Sequence, residues 1–232
     1  MDIGSLFSRH ARYRPDHLAI VFEDQRLTYQ ELNQSINRLA NALLDLGIQK
    51  GDKVATILPN SLELYETYWA VGKIGAVVVP MSTLLRAQAL KNLLQDSDTV
   101  AVISNDSFRS TLDAIRPDLT AIAKDRWLLI DKSGDDNYQD YHALKKAAGD
   151  HEPPGIQIEP DDPFNIMYSS GTTGLPKGIV HTHYIRGMYG NLFASAYRMT
   201  PESIVMHAGA IVFNGAFLDL MPALFLGATY IL

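Results

Sequence analysis

The chain has 232 residues, and 20 Lys plus Arg against 26 Asp plus Glu give it a formal net charge of −6. An apolar fraction of 47% excludes intrinsic disorder, and the mild acidity argues against a nucleic-acid backbone as the main partner. The absence of cysteine excludes disulfides, thiolate zinc sites and a cysteine nucleophile, and it favours a reducing compartment such as the cytoplasm.

No segment of the sequence predicts a membrane span. The N-terminus has neither a basic start nor an apolar core of signal-peptide length. The most apolar stretch, Ala216–Leu232, is interrupted by Asp219 and Pro222, whereas a span needs about 20 largely uninterrupted apolar residues. We therefore predict a buried helix followed by a strand at this end of the chain.

The first 130 residues predict alternating strands and helices. A strand pair comes first, and a capping box that begins at Thr28 starts a helix that Gly47 ends. The predicted strands are Leu18–Phe22, Arg26–Tyr29, Lys53–Leu58, Ala76–Val79, Thr99–Ser104 and Trp127–Ile130, and the later helices run from Asn60 or Ser61 toward Gly75 and over Leu84–Gln95. Because strands and helices alternate at crossover lengths, we predict an α/β fold with mainly parallel sheets flanked by helices.

The composition changes between residues 131 and 163, where Gly, Pro, Asp and Glu are frequent and only Tyr138–Ala148 predicts a helix. We interpret this segment as a surface connection. It separates a first α/β subdomain, residues 1–130, from the start of a second one, residues 164–232.

The motif that carries chemistry spans Tyr168–Gly178 and reads YSSGTTGLPKG. It follows a predicted strand, Phe164–Tyr168, and precedes another, Ile179–His181. Glycine lets backbone amides approach a ligand closely, hydroxyl groups add donors, and the lysine adds a positive charge. This combination suits a polyphosphate. A P-loop is excluded, because Pro176 precedes the lysine and Gly178 follows it.

The motif resembles the phosphate-loop signature of the adenylate-forming enzymes, which include acyl-CoA synthetases, adenylation domains of peptide synthetases and beetle luciferases. Further segments similar to that family are Leu27–Asn33, Ala40–Leu43, Gly47–Val54, Asn60-Ser61, Gly72–Ala76 and Gly227–Thr229. The resemblance covers nearly the whole chain and is strongest to the acyl-CoA synthetase branch.

The resemblance implies a two-step reaction. A carboxylic acid, expected to be a fatty acid, attacks the α-phosphorus of ATP to give an acyl-adenylate and pyrophosphate, and the thiol of coenzyme A then displaces AMP. The loop would hold the β- and γ-phosphates with Mg²⁺, and Lys177 would stabilise the departing pyrophosphate as the catalytic residue. The implied nucleotide-binding residues are Ser169, Ser170, Gly171, Thr172, Thr173, Gly174 and Lys177.

Family members continue well beyond this length, with an adenine-binding segment, a ribose-binding aspartate and a C-terminal catalytic lysine. We therefore expect the chain to be an N-terminal piece of such an enzyme that is inactive alone. An incomplete α/β sheet exposes apolar faces, so a homodimer is also considered.

The acid pocket departs from the family pattern. Many relatives carry a Phe-His pair where this chain has Phe213, Asn214 and Gly215, and the nearby histidine is His207. Either His207 replaces that imidazole through a local shift, or the pocket lacks it. His183 follows Thr182, which we predict to cap a helix, and it is expected beside the pocket.

We predict no protein metal site, because His181 and His183 lack a third ligand of suitable type nearby. We interpret Met188, Tyr189, Phe193 and Tyr197, at near-helical spacing, as a core face rather than the lining of an acyl tunnel.

Two rival functions remain open. An amino-acid adenylation domain would need an aspartate for the substrate amine, and Asp219 is the candidate in that region although it falls in a predicted helix. A fragment that binds nucleotide or a partner chain without catalysis is the other.

Overall fold

The computed structural model describes residues 2–132, 137–169 and 176–232. The helices are α1 Ser5–Tyr13, α2 Tyr29–Asp45, α3 Leu62–Lys73, α4 Ala87–Asp96, α5 Arg109–Ile115, α6 Tyr141–Ala147, α7 His183–Ala196 and α8 Phe217–Leu226. The strands are β1 Leu18–Phe22, β2 Gln25–Thr28, β3 Lys53–Ile57, β4 Val77–Pro80, β5 Thr99–Ser104, β6 Trp127–Leu129, β7 Gln139–Asp140, β8 Pro163–Ser169, β9 Lys177–Thr182, β10 Ile204–Met206 and β11 Thr229–Ile231.

Local capping signals place the helix starts where the sequence predicts them. The capping box at Thr28 is formed with Glu31, and of the two predicted caps of α3 it is Ser61 that accepts a hydrogen bond, from the Leu64 amide. The helix predicted over Tyr138–Ala148 is shorter, because residues 139–140 form β7 beside β6 and Asp140 caps α6.

The strands form two sheets, which confirms the predicted α/β fold. One has the order β10-β11-β1-β2 and the other β7-β6-β5-β3-β4-β8-β9. Pairing is parallel except for the β1–β2 and β8–β9 hairpins. Parallel strands need crossover connections, and these are the helices that cover the sheets.

Both sheets take strands from before and after residues 131–163. In the larger sheet β4 pairs with β8, and in the smaller one β1 pairs with β11. Each sheet is therefore built from both sides of residues 131–163. The division of the chain into two subdomains at this segment stays a prediction.

Helix α3 lies between the two sheets, and all its residues except Glu63 are buried. On one side the Tyr65 ring stacks on Tyr230 of β11, with centroids 5.9 Å apart. On another the Trp69 ring stacks on Phe164 of β8, also at 5.9 Å. These aromatic contacts join the smaller sheet to the larger one through a single helix.

A stripe of asparagines on α2 holds the connection that follows α6. Asn33, Asn37 and Asn41 are spaced four residues apart and therefore share one helix face. Their side-chain amides donate to Glu152, to the Asp150 carbonyl, and to the carbonyls of Gly149 and His151 respectively, at 2.8–3.0 Å. The segment interpreted as a surface connection is thus fixed to the fold at residues 149–152.

Lys73, at the end of α3, completes this attachment. Its side chain is almost fully buried, and its Nζ donates to Ser8 Oγ, Asn33 Oδ1, Asn37 Oδ1 and Glu152 Oε2 at 2.6–3.0 Å. We call these groups the Lys73 clamp. The buried ammonium is stabilised because each of its partners is an acceptor and one of them is charged.

Glu152→Gln is expected to destabilise the protein at neutral pH and to weaken its response to acid. Partial burial alone would raise the pKa of Glu152, but hydrogen bonds from Asn33 and Lys73 outweigh it and lower the pKa to about 2. A carboxylate with a depressed folded-state pKa stabilises the fold above its ordinary pKa, and that contribution is lost as the pH falls from about 4.5 toward 2. The wild type should lose more stability over that interval than the variant.

Urea denaturation from neutral pH down to about pH 2 measures this difference. Glu23→Gln, in an exposed turn, is the matched control and should follow the wild-type curve. Identical pH dependence of the wild type and Glu152→Gln would contradict the role given to Glu152.

Candidate functional site

The β8–β9 hairpin presents both flanks of the predicted phosphate loop. Ser169 ends β8 and Lys177 begins β9, the two are directly opposite in the ladder, and both are exposed. Ser170, Gly171, Thr172, Thr173 and Gly174 lie outside the described residues. Within the part of the chain that is described, Lys177 makes no ion pair, so its amine is available to an anion.

One face of this hairpin leads away from the loop. Residues directly opposite in an antiparallel ladder share a face, and every second residue along a strand returns to it. The opposed pairs Ser169–Lys177, Met167–Ile179 and Asn165–His181 therefore share the same face. We call it the hairpin face. At about 3.3 Å per residue, it extends roughly 13 Å from Lys177 to His181.

The end of β9 passes directly into α7 through a capped turn. Thr182 Oγ1 accepts a hydrogen bond from the Ile185 amide, at 3.2 Å, as the sequence predicts for an N-cap. His181 and His183, on either side of it, have different surroundings. Among residues 2–132, 137–169 and 176–232, no group of three or more His, Cys, Asp or Glu side chains could hold a metal ion.

His183 is fully buried against the start of the chain. Its Nδ1 accepts a hydrogen bond from the Ile3 amide at 3.3 Å, and its ring packs edge-on against Phe164 with centroids 5.3 Å apart. Burial lowers the pKa of His183 to about 4, so the ring is neutral at physiological pH. These contacts attach His183 to the segment before α1 and to β8. Its expected place beside the acid pocket stays a prediction.

His207 is held by α8. Its Nδ1 lies 2.8 Å from Asp219 Oδ2, and the other oxygen of this carboxylate accepts a hydrogen bond from the Tyr230 hydroxyl at 3.2 Å. Asp219, on the first turn of α8, therefore orients the His207 ring.

The expected acid-pocket residues immediately precede α8. Phe213 is exposed and leads into the short 3₁₀ turn Asn214–Ala216, in which Asn214 and Gly215 are also exposed. The segment just before them is fixed to the fold, because the Asn60 amide donates to Gly209 O and the Tyr68 hydroxyl to Ile211 O. The structure places these three residues on an anchored, accessible turn next to the helix that holds His207.

The aromatic stripe on α7 is not the core face that the sequence predicts. Tyr197 is exposed and Met188, Tyr189 and Phe193 are only partly buried, whereas the buried positions are His183, Arg186, Gly187, Gly190 and Ala194. The reason is close helix packing: a Cβ on Gly190 would lie 2.8 Å from the Cβ of Phe225 on α8. Gly190 faces α8, while Phe193 contacts Tyr189 edge-on and stacks on the exposed Tyr197.

Arg186 is a buried cation that the sequence analysis missed. It is fully inaccessible to solvent, and its Nε donates to Asn165 Oδ1 at 3.1 Å. Its Cζ lies 3.8 Å from the centre of the Phe217 ring and 5.2 Å from that of Tyr189. Burial lowers the pKa of Arg186 to about 9, so it stays protonated at neutral pH. The sequence signal that could have indicated this burial is the spacing of Arg186, one helical turn after His183 on the same face of α7.

The chain matches a known protein family. Residues 7–232 match the model of a family described as AMP-binding enzyme. The chain belongs to that family. It is similar to the inhibitor-bound N-terminal domain of FACL13 from Mycobacterium tuberculosis, with a TM-score of 0.84 and 31% sequence identity. The match covers 99% of this chain and 56% of that one, which agrees with an N-terminal position in the family fold.

The curated relatives that match the chain include a ligase and a synthase. The chain is 39% identical to the long-chain-fatty-acid–CoA ligase FadD13 of Mycobacterium tuberculosis, over 78% of this chain and 35% of the relative. It is 31% identical to tyrocidine synthase 1 of Brevibacillus parabrevis, over 99% of this chain and 20% of that protein. The chain thus spans about a third or less of the length of these two relatives.

Substitution of Thr182, at the junction between β9 and α7, tests whether its hydroxyl caps the helix. Thr182→Ala is expected to lower the free energy of unfolding by about 1 kcal/mol, because the Ile185 amide loses its acceptor. Thr182→Ser keeps a hydroxyl and should retain most of that stability. Urea denaturation of the two variants measures the difference, and equal stability would show that the hydroxyl does not cap α7.

Proposed function

We propose that the protein containing this chain is an ATP-dependent acid–CoA ligase, which converts a carboxylic acid to an acyl-adenylate and then to an acyl-CoA. The observation that carries the proposal is the hairpin end, where exposed Ser169 and Lys177, which makes no ion pair with the described residues, flank a segment whose sequence is rich in Gly, Ser and Thr. A cytoplasmic location, a homodimer and a fatty acid as the substrate remain predictions from the sequence.

The hairpin end fits the demands of the first step. In a displacement at phosphorus, catalysis consists mainly of aligning the reactants and neutralising charge. Hydroxyl and amide donors of the loop would hold the β- and γ-phosphates, while Lys177 would take the charge that develops on pyrophosphate. Mg²⁺, bound to the nucleotide, would supply further charge neutralisation. ATP and coenzyme A are co-substrates of this reaction.

Amino-acid adenylation is supported by the similarity to tyrocidine synthase 1, but it is disfavoured by the environment of Asp219. An aspartate that holds a substrate amine has to direct its oxygens at that amine. Each oxygen of Asp219 already contacts a side chain of the fold, one His207 and the other Tyr230. The candidate aspartate of this rival function therefore already positions two side chains within the fold.

Lys177→Ala in the full-length enzyme is expected to slow adenylate formation about 10- to 100-fold, the usual value of one charge-assisted contact. Thioester formation from preformed acyl-adenylate should stay near the wild-type rate, because pyrophosphate has left before the thiol arrives. Pyrophosphate release measures the first half-reaction and AMP release from added acyl-adenylate measures the second.

Lys124→Ala, at an exposed position in another part of the chain, is the matched control and should leave both half-reactions unchanged. Equal losses in the two steps would remove Lys177 from its assigned role. A wild-type enzyme that binds ATP but releases no pyrophosphate with any acid would favour the non-catalytic nucleotide-binding function instead.

A further inference from the structure

The guanidinium of Arg186 is buried, and no carboxylate among the described residues pairs with it. Neither Nη1 nor Nη2 has a hydrogen-bond partner in the described parts of the chain, and the side chain is fully inaccessible. The groups whose charges act on it most are the hydroxyls of Tyr189 and Tyr68, and no carboxylate is among them. A buried charge of this kind is costly unless something pairs with it.

The neighbours of Arg186 share its need for an acceptor. Asn165 is also fully buried, and since its Oδ1 accepts from the arginine, its amide Nδ2 is left as a donor without a partner. His181, directly opposite Asn165 in the ladder, has an unpartnered Nδ1. We call Arg186, Asn165 and His181 the Arg186 cluster. Its unmet groups are mostly N–H donors, so its missing partner is a hydrogen-bond acceptor, best a negatively charged one.

The aromatic rings around Arg186 do not remove this need. Phe217 and Tyr189 offer their ring faces to the guanidinium, and such cation–π contacts stabilise the charge. The N–H groups of a guanidinium, however, point outward in its plane, where only oxygen or nitrogen acceptors satisfy them. The rings therefore support the cation and leave its hydrogen bonds open.

The Arg186 cluster lies at the far end of the hairpin face. Asn165 and His181 share that face with Ser169 and Lys177, roughly 13 Å away along β9. Between the two ends, the face carries the apolar side chains of Met167 and Ile179. It is exposed at its loop end, where Lys177 and Ile179 are accessible, and covered at the end occupied by Arg186.

The cluster also adjoins the segment expected to line the acid pocket. Phe217, whose ring lies under the guanidinium, follows Asn214–Ala216 directly. Tyr68 stacks on the same ring with centroids 5.8 Å apart and anchors Ile211 through its hydroxyl. A molecule with its reacting carboxylate at the loop end of the hairpin face, beside the nucleotide whose pyrophosphate Lys177 would meet, would extend along that face toward Arg186.

We propose that Arg186, together with Asn165, binds a second carboxylate at the far end of the acid substrate. The inference rests on the proposed ligase function and names its substrate class: dicarboxylic acids with an apolar middle. Arg186 is then a specificity-determining residue. A purely aliphatic tail would place methylene groups against an unpaired guanidinium, so the cluster selects against the fatty acid expected from the sequence.

The test compares dicarboxylic acids with monocarboxylic acids of the same carbon number in pyrophosphate release by the full-length enzyme. The wild type should prefer the dicarboxylic member of a matched pair in kcat/KM. Arg186→Met removes the charge but keeps an unbranched side chain, and it should reduce that preference about 10- to 100-fold. Arg186→Lys should retain part of it. Arg12→Met, exposed on α1, is the matched control and should change nothing.

A measurement without turnover separates this proposal from the ligase function. Dicarboxylic acids should raise the Tm of the wild type more than matched monocarboxylic acids do, and Arg186→Met should lose that difference. If the Tm difference is present but no acid supports pyrophosphate release, the ligase function fails and the carboxylate site stands. If Arg186→Met does not fold, the wild type and Arg186→Lys still decide the outcome.

Three results would overturn the proposal. The first is a wild-type enzyme that turns over monocarboxylic acids as well as their dicarboxylic counterparts. The second is a folded Arg186→Met variant that keeps the wild-type preference. The third is a variant that is less stable but equally selective, which would mean that the partner of Arg186 belongs to the protein itself.

Discussion

The burial of α3 between two sheets is the constraint on which the rest of the structure depends. Tyr65 packs on the smaller sheet and Trp69 on the larger one, so the position of this helix sets how the sheets meet. Each buried aromatic removes roughly 150–250 Å² from water, worth about 4–6 kcal/mol before entropy costs. The helix that joins the sheets also carries Tyr68, which fixes the segment before α8, and thereby connects the core to the candidate site.

Polar groups in this molecule fall into two kinds, and the difference separates structure from function. The Lys73 clamp is satisfied: a buried ammonium meets three neutral oxygens and one carboxylate, and the result is a rigid attachment of residues 149–152. The Arg186 cluster is also buried, and the part of the chain that the structure describes does not supply its acceptors. Because an unpaired buried charge is costly, it is retained where a ligand completes it more readily than where it serves packing alone.

The two ends of the hairpin face give the site its direction. Lys177 is exposed and can therefore meet a leaving group, whereas Arg186 is buried and held by Asn165 and Phe217. One cation therefore suits a charge that develops and departs, and the other a charge that is bound throughout the reaction. The pleat of the antiparallel hairpin puts Lys177 on the same face as Asn165, and Arg186 reaches that face from α7 through its hydrogen bond to Asn165.

The sequence by itself determined the α/β class, the helix caps at Thr28 and Thr182, and the family through the YSSGTTGLPKG motif, because these depend on local spacing and backbone chemistry. It left the cap of α3 between Asn60 and Ser61, and the structure decided for Ser61. Only the tertiary structure decided which face of α7 is buried, how Asp219 is occupied, and where Arg186 finds its neighbours. Those outcomes depend on contacts between residues far apart in the chain, such as Gly190 with Phe225 and Tyr65 with Tyr230. Hydrophobic periodicity within a segment does not predict such contacts. The spacing of the aromatic stripe predicts a core face, yet Gly190 packs against α8 and the rings of the stripe are only partly buried or exposed.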